Sequence, residues 1–528
     1  VAVLGGGLTG LSAAFHLARR HPDVEVTLYE RSTRFGGWLR SERIEVEDAD
    51  GNRASVLLEG AARTVRPNAT SVLELIHLLD LRSEVLITPR SSPAARARFL
   101  ALPSTPGLSA LPSTLLSLLT TPLGRLVLRA SLRECVRPAN RPPRATDEAV
   151  DAFLARRFGP ECARVLGSAL VHGIYGADAR RLSVRAAFPA LWAAEERGRG
   201  SVVWGALGWP AWWGARARKA EAERREAAEG WEVGEDAGWE AVLADASVLS
   251  FTDGMGTLVG ALVRALAALP NVVLKTGTEV VALSHDARAI RPAHGPAVAY
   301  AAAISALPLP ALAALLPADQ ALPHLTHNPL TSVTSLNLVF PIARLPAPLH
   351  QPGFGYLVPR ALTGYGAGAG TVGMLGVVFD SASLAAQDRA LPAVAVTDAP
   401  EPPFSPPAPA PFVKVTAMVG GPHPAPAADA DARALVAAVV GEMAVQLGRA
   451  LPAPVAYKVH RNARSIPTYL VGHVERMGEM RRALAGGAGE KGAGSGGWGG
   501  RLKVVGAGVD GVSVGDCVKA GRRAAREV

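Results

Sequence analysis

Apolar positions change period within residues 1–30. Val24, Val26 and Leu28 alternate as in a half-buried strand, whereas Leu8, Leu11, Phe15 and Ala18 recur at helical spacing. The pattern predicts a strand over Val1–Leu4, a helix from about Leu8 to Arg20 and a second strand over Val24–Glu30, a βαβ unit whose period switches where the glycines end. Past about residue 67 the pattern turns mainly helical, through Leu73–Leu81 and Leu111–Leu132. Strand signals return at Val272–Leu274, Val280–Leu283, Ser332–Phe340, Val372–Phe379 and Val413–Val419. The chain closes on a strand, Leu502–Val505, a glycine turn and a helix from about Gly515. "RARKAEAERREAAE", within a charged, Trp-dotted segment over 205–239, reads as a solvated helical insertion. The Pro/Ala tract over 398–411 reads as a semi-rigid connection, and the Gly-rich tracts over 364–370 and 486–500 read as flexible loops. The expected class is α/β with mixed α+β lobes: the two chain ends share one Rossmann-like sheet and the middle forms separate lobes.

Composition narrows the picture less than it first suggests. The net charge of +9 points toward nucleic acid, yet only seven of the 55 basic residues are Lys, and none of them clusters with interleaved aromatics. Nucleic acid is therefore not an expected partner. Cys135, Cys162 and Cys517 lie far apart with no C-x-x-C spacing, which favours free thiols, and no His/Cys/carboxylate set has metal-ligand spacing. The longest uncharged stretch, 99–124, carries four prolines and does not read as a membrane-spanning helix.

The chemistry sits in "VAVLGGGLTGLSAAFHLARR". Gly5, Gly6, Gly7 and Gly10, with Leu8 and Thr9, lie between strand and helix, so backbone N–H groups and a helix N-terminus face one point, where a diphosphate is stabilised. Glu30 follows Gly10 by 20 residues, the distance at which a carboxylate meets a ribose hydroxyl. "RSTRFGGWLRS" comes next, with Arg34, Gly37 and Trp38. Together these predict a dinucleotide site. A second glycine set, Gly506, Gly508 and Gly511, is followed by too few residues for a complete unit. It reads as a turn leading to a last helix whose N-terminus points its partial positive charge at a bound group.

The Arg-x-Gly-Gly segment after the ribose acid resembles the signature of flavin oxidases of the amine oxidase type. "RFLALPS", "GFGYLVP" and "GVSVGDCVKAGRRAA" narrow this to a resemblance to the oxygen-dependent protoporphyrinogen oxidases, covering both chain ends and landmarks between them, with insertions at about 205–247, 360–371 and 393–410. The resemblance implies non-covalent FAD held by the residues above together with Arg63, Thr64, Val280, Ala507, Val512, Ser513 and Val514. Cys517 leaves a covalent thioether open, with a packed thiol the preferred reading. It also implies that Phe354, Leu357 and Met418 sandwich the macrocycle, that Arg98 pairs with a propionate, and that Gly173 leaves room for a pyrrole ring. His172, His324 and His327 read as ordinary structural or surface histidines. Where the family has Gly-Pro-Arg-Gly this chain has Ala61-Ala62-Arg63-Thr64, which puts the local backbone path in question.

The implied division is an FAD-binding domain over 1–80, 248–300 and 500–528, a helical membrane-associating domain over 81–204, the insertion over 205–247 and a substrate-binding domain over 301–499. The implied reaction is six-electron oxidation of protoporphyrinogen IX by O2, at the intermembrane-space side of the mitochondrial inner membrane. Arg125, Arg129 and Arg133 would lie at its surface, although a helix with that stripe covers a protein core equally well. Ferrochelatase, for product hand-off, and a second copy of the chain are further partners the resemblance allows. The competing readings are a flavin amine oxidase, disfavoured by the 5% aromatic content, and a flavin-free binding protein of the GDP-dissociation-inhibitor kind.

Overall fold

A computed structural model describes residues 1–102, 107–208, 229–234, 236–345, 348–366, 372–391, 409–424, 431–486 and 498–528. The helical insertion and the inner parts of the Pro- and Gly-rich tracts lie outside these residues.

The two ends of the chain meet. A five-stranded parallel sheet has the spatial order Leu502–Val504, Ala303–Ser305, Ala2–Leu4, Val26–Tyr29, Val272–Lys275. Ala303–Ser305 separates the first strand from the last, bonding Ala2↔Ala303 on one side and Ala303↔Leu502 on the other. It lies just beyond the expected boundary at residue 300. The three inner strands are short and mostly buried, so they read as largely apolar runs, as central parallel strands do. The first helix, Leu8–Arg20, packs on the last, Val514–Arg526, and Ser12 Oγ donates to Val518 O at 3.0 Å. The crossing is close because Gly521 has no side chain: a Cβ there would sit 2.4 Å from Thr9 O.

A seven-stranded mixed sheet forms the second layer, in the order Ala456–Pro467, Leu330–Pro341, Phe412–Gly420, Met374–Val378, Gly355–Leu357, Phe99–Ala101, Leu108–Ala110. One face, carrying Val415, Ala417 and Val419, packs on Val436, Val439 and Met443 of the helix Ala432–Leu447. The alternate positions Lys414, Thr416 and Met418 point the other way, as the two-residue period of a strand requires. Three strands in this half of the chain correct the helical reading past residue 67. Val85–Pro89 pairs with Ala246–Phe251, while Phe99–Ala101 and Leu108–Ala110 join the large sheet. Strands this short give no readable alternation, and long-range pairing decided them.

Helices do dominate 115–207. Pro122–Val136 buries Leu123 and Ala130, and its Arg125, Arg129 and Arg133 are exposed. The helix therefore covers a core with one face and presents guanidinium groups with the other. Buried Arg157 pairs with buried Glu134 at 2.6 Å, tying this helix to Val150–Phe158. No helix among the described residues is long and apolar enough to cross a membrane.

Candidate functional site

The glycine turn is built as a cradle. Gly6 N–H donates to Glu30 Oε2 and Ser32 N–H to Glu30 Oε1, both at 2.8 Å, so the carboxylate at the end of the second strand is held rigid against the turn. Each of its oxygens keeps a lone pair for a hydroxyl group. Gly10 permits the tightness of the turn, since a Cβ there would lie 1.9 Å from Gly5 O. Gly7 is different: a Cβ would meet only Gly37 Cα, at 3.9 Å. That space is open to a ligand, and it lies at a helix N-cap that no side chain satisfies. The Gly36-Gly37 doublet forms the opposite wall, through Gly36 N–H to Gly6 O at 2.8 Å. Arg34 holds that wall by donating to Gly37 O and Leu39 O, with Trp38 exposed at its rim. These features fit a nucleotide diphosphate and its ribose.

Beside this cradle lies the start of the last helix. A Cβ on Gly506 would be 3.5 Å from Thr9 Oγ1, and Tyr469 OH donates to Ala507 O. Ser513 Oγ accepts from Asp516 N–H at 3.1 Å in a capping box. The Val514 and Gly515 N–H groups have no acceptor among the described residues. Burial pushes the Cys517 thiol up to about 11. A thiol so protonated is a poor nucleophile, which agrees with the packed-thiol reading. Val280 starts the strand Val280–Ser284, two residues after Thr278 N–H bonds Glu30 O.

Arg63 and Thr64 lie where Val65 bridges Leu249, and Ser250 Oγ donates to Arg63 O at 2.7 Å. The altered turn thus keeps a defined path. The Arg63 guanidinium is buried and pairs with Asp380 at 3.1 Å; Asp380 also accepts from Thr416 Oγ1, which accepts from Asn337 Nδ2. None of the three partners stood out in the sequence, because each occupies an unremarkable position in its own segment.

The five residues expected at the substrate gather around the strand Gly355–Leu357 of the large sheet. Phe354 N–H bonds Ala97 O at 2.9 Å, and the strand Gly355–Leu357 runs parallel to Phe99–Ala101, with Leu357 opposite Leu100. This places Arg98 beside Phe354, its guanidinium 5.6 Å from the ring centroid. Arg98 has no carboxylate partner among the described residues. Burial, and then the nearby Arg66 cation, lower its pKa. Arg66, exposed and likewise without a carboxylate partner among the described residues, was missed in the sequence because it lies 32 positions away. Met418 is paired with Gly376, where a Cβ would lie 2.9 Å from Leu357 Cδ2. At Gly173 the structure corrects the expectation. The room left by its missing side chain is taken by the Leu357 methyls, 3.0 Å from where a Cβ would sit, and is not open space. Phe354, Leu357, Met418 and Arg98 are all half-buried, unlike the sealed core on the other face of the sheet. His172, by contrast, is buried and bonded through both ring nitrogens, whereas His324 pairs with Glu479 at the surface.

Comparison with known proteins agrees with this geometry. Residues 8–528 match the family described as flavin containing amine oxidoreductase. The chain is 32% identical over 549 residues to protoporphyrinogen oxidase of Bos taurus, covering 100% of this chain and 98% of that protein. Coproporphyrinogen III oxidase of Staphylococcus aureus is 30% identical over 202 residues, 37% of this chain and 40% of that protein. Among solved structures, a putative protoporphyrinogen oxidase from Exiguobacterium sp. 255-15 superposes with a TM-score of 0.69 at 20% identity, covering 99% of this chain and 97% of that one. An open cradle at Gly7, a carboxylate at Glu30 locked against the glycine turn and a full-length match together place this chain in the flavin-containing amine oxidoreductase family, as a member of its protoporphyrinogen oxidase branch.

Proposed function

We propose that this protein oxidises protoporphyrinogen IX to protoporphyrin IX, reducing three O2 to three H2O2. The observation that carries the reading is the presence, with a dinucleotide cradle, of a half-buried surface around the strand Gly355–Leu357 whose one end holds two cations, Arg98 and Arg66, without carboxylate partners among the described residues. A flat apolar macrocycle with two adjacent propionates matches an edge built of Phe354, Leu357 and Met418 and ending in guanidinium groups.

Gly5 to Gly10, Glu30, Arg34 and Gly37 would hold the diphosphate and ribose of FAD, while Ala507 and Val512 to Val514 would line its ring. FAD supplies the two-electron acceptor and the reaction with oxygen. What remains for the protein is placement and field. The free N–H groups at Val514 and Gly515 favour negative charge beside them, and Arg98 anchors the acidic edge so that an apolar ring is presented repeatedly without leaving.

The test is anaerobic mixing of the yellow protein with protoporphyrinogen IX. Flavin bleaching with a rise of porphyrin fluorescence, and peroxide on admitting air, are expected. Bleaching by a primary amine instead would overturn the reading in favour of an amine oxidase, and a protein purified without flavin would favour the binding-protein alternative.

Membrane attachment belongs to the same proposal. Leu115, Leu116 and Leu119 on the helix Leu115–Thr120 are 82%, 70% and 62% exposed, and on the helix that follows Leu132, Val136 and the three arginines are exposed as well. An apolar patch rimmed by guanidinium groups suits the surface of an anionic bilayer. A location on the mitochondrial inner membrane, facing the intermembrane space, is consistent with it and is checked by fractionation.

A further inference from the structure

The two ends of the substrate edge differ in charge. Arg98 and Arg66 stand before the strand Gly355–Leu357. Past its other end, three uncharged rings meet. His172 Nδ1 is 2.7 Å from Val358 O and therefore donates, which leaves Nε2 to accept from Tyr365 OH at 2.9 Å. The His423 ring lies 5.0 Å from Tyr365 and 6.3 Å from His172. Each ring lies on, or in the segment just after, an element that carries an expected substrate residue. His172 precedes Gly173, Tyr365 is in the segment that follows Leu357, and His423 is in the turn that follows Met418. A Cβ on Gly373 would sit 2.7 Å from His423 Cβ, so the turn is packed tightly.

The cations around these rings are already engaged. The two that face the rings have carboxylates: Arg180 is held by Asp178 at 2.7 Å and lies over Tyr365, and Arg360 is held by Asp151 at 2.7 Å. Burial lowers His172 to about 4, only partly offset by the bond to Val358 O, and burial lowers His423 as well. Both are neutral near pH 7, and burial raises the Tyr365 phenol, so it too stays protonated.

We propose that His172, Tyr365 and His423 form a neutral clasp that ties together the three substrate-bearing elements and selects porphyrinogens whose far edge carries no carboxylates. A macrocycle with two propionates can place both at the arginines and direct its vinyl-bearing edge toward the clasp. One with four propionates must bring anions to an end whose cations are taken, and leaving a carboxylate there unpaired is costly. The three rings are positioning and specificity residues that touch neither the cofactor nor the reacting atoms. The inference rests on the proposed substrate class.

The test compares protoporphyrinogen IX with coproporphyrinogen III, which bears four propionates, in wild type, Tyr365→Phe, Tyr365→Ala and His423→Ala. Wild type should prefer the dicarboxylate substantially in kcat/KM. Tyr365→Ala should erode that preference at least tenfold, mainly through KM, at unchanged flavin content. Tyr365→Phe, which keeps the ring and loses the hydroxyl, should fall between, and His423→Ala should act in the same direction as Tyr365→Ala. A wild type that oxidises neither porphyrinogen defeats the proposed function itself. A wild type that prefers the dicarboxylate, with variants that keep its ratio or lose kcat equally on both substrates, defeats the clasp alone.

Discussion

At the scale of single residues, the structure separates glycines packed tightly by protein atoms from one that leaves space beside it. Gly10 and Gly6 are filled around by protein atoms, and a Cβ at Gly6 would meet Phe35 at 2.5 Å. Gly7 alone of the three faces open space. Gly7→Val should therefore fold, with a melting temperature close to that of flavin-free wild type, yet purify colourless, because its methyls would occupy the diphosphate's approach. A visible spectrum with full flavin content would refute the placement. Arg98 makes the complementary case. Its Nη1 bonds only Ala95 O, at 3.0 Å, so Arg98→Ala removes little from the fold. Loss of a charge-assisted bond is worth roughly 1.5–3 kcal/mol, about ten- to hundredfold in KM for the porphyrinogen, with flavin content unchanged. Parallel loss of both would mean that the side chain's role is structural.

At the scale of elements, the crossing of the first and last helices holds the cradle and the flavin-facing turn in one piece. Gly521→Val would force its Cβ onto Thr9 O and Ala13 N, and overpacking of this kind costs about 1–3 kcal/mol. A lowered melting temperature and weakened flavin retention should appear together, since Thr9 begins the cradle helix. The same crossing shows what was legible. Its glycines and helical period were plain in the sequence, and so was the sharing of one sheet by the two chain ends. The strands Phe99–Ala101 and Leu108–Ala110 were not, because three residues give too few repeats to distinguish period two from a helical turn. The pairing of Phe99–Ala101 with Gly355–Leu357 is what brings Arg98 to Phe354.

At the scale of the whole molecule, buried charge links the lobes. Lys414 on the large sheet pairs with Asp388 at 2.9 Å and donates to Leu57 O, joining the Arg53–Glu59 strand to the second layer. At the end of that strand Glu59 is buried, accepting from Met255 N–H at 2.7 Å and Ser41 Oγ at 2.9 Å. Burial raises its pKa to about 7, against those hydrogen bonds and the Arg63 and Lys414 cations. A carboxyl raised on folding stabilises the native state fully below its ordinary value, and that contribution is lost as pH climbs through 7. Stability should decline between about pH 4.5 and 7 by about 3 kcal/mol from this group. Glu59→Gln, whose Oε1 can still accept from Met255 N–H while its amide nitrogen would donate to Ser41 Oγ instead of accepting from it, should flatten the decline in denaturant titrations across that range; an unaltered slope would show that Glu59 is already ionised.

The sequence by itself determined the dinucleotide cradle, because every part of it lies within 40 residues and is written in local terms: a period switch, glycines at fixed offsets and an acid at a strand end. The tertiary structure alone decided the Arg63–Asp380 pair, the meeting of Arg66 with Arg98, Leu357's occupation of the space at Gly173 and the ring cluster of His172, Tyr365 and His423. These contacts join residues up to 317 positions apart, and no local period or spacing encodes them; they exist only because strand pairing and packing between distant segments bring those side chains together.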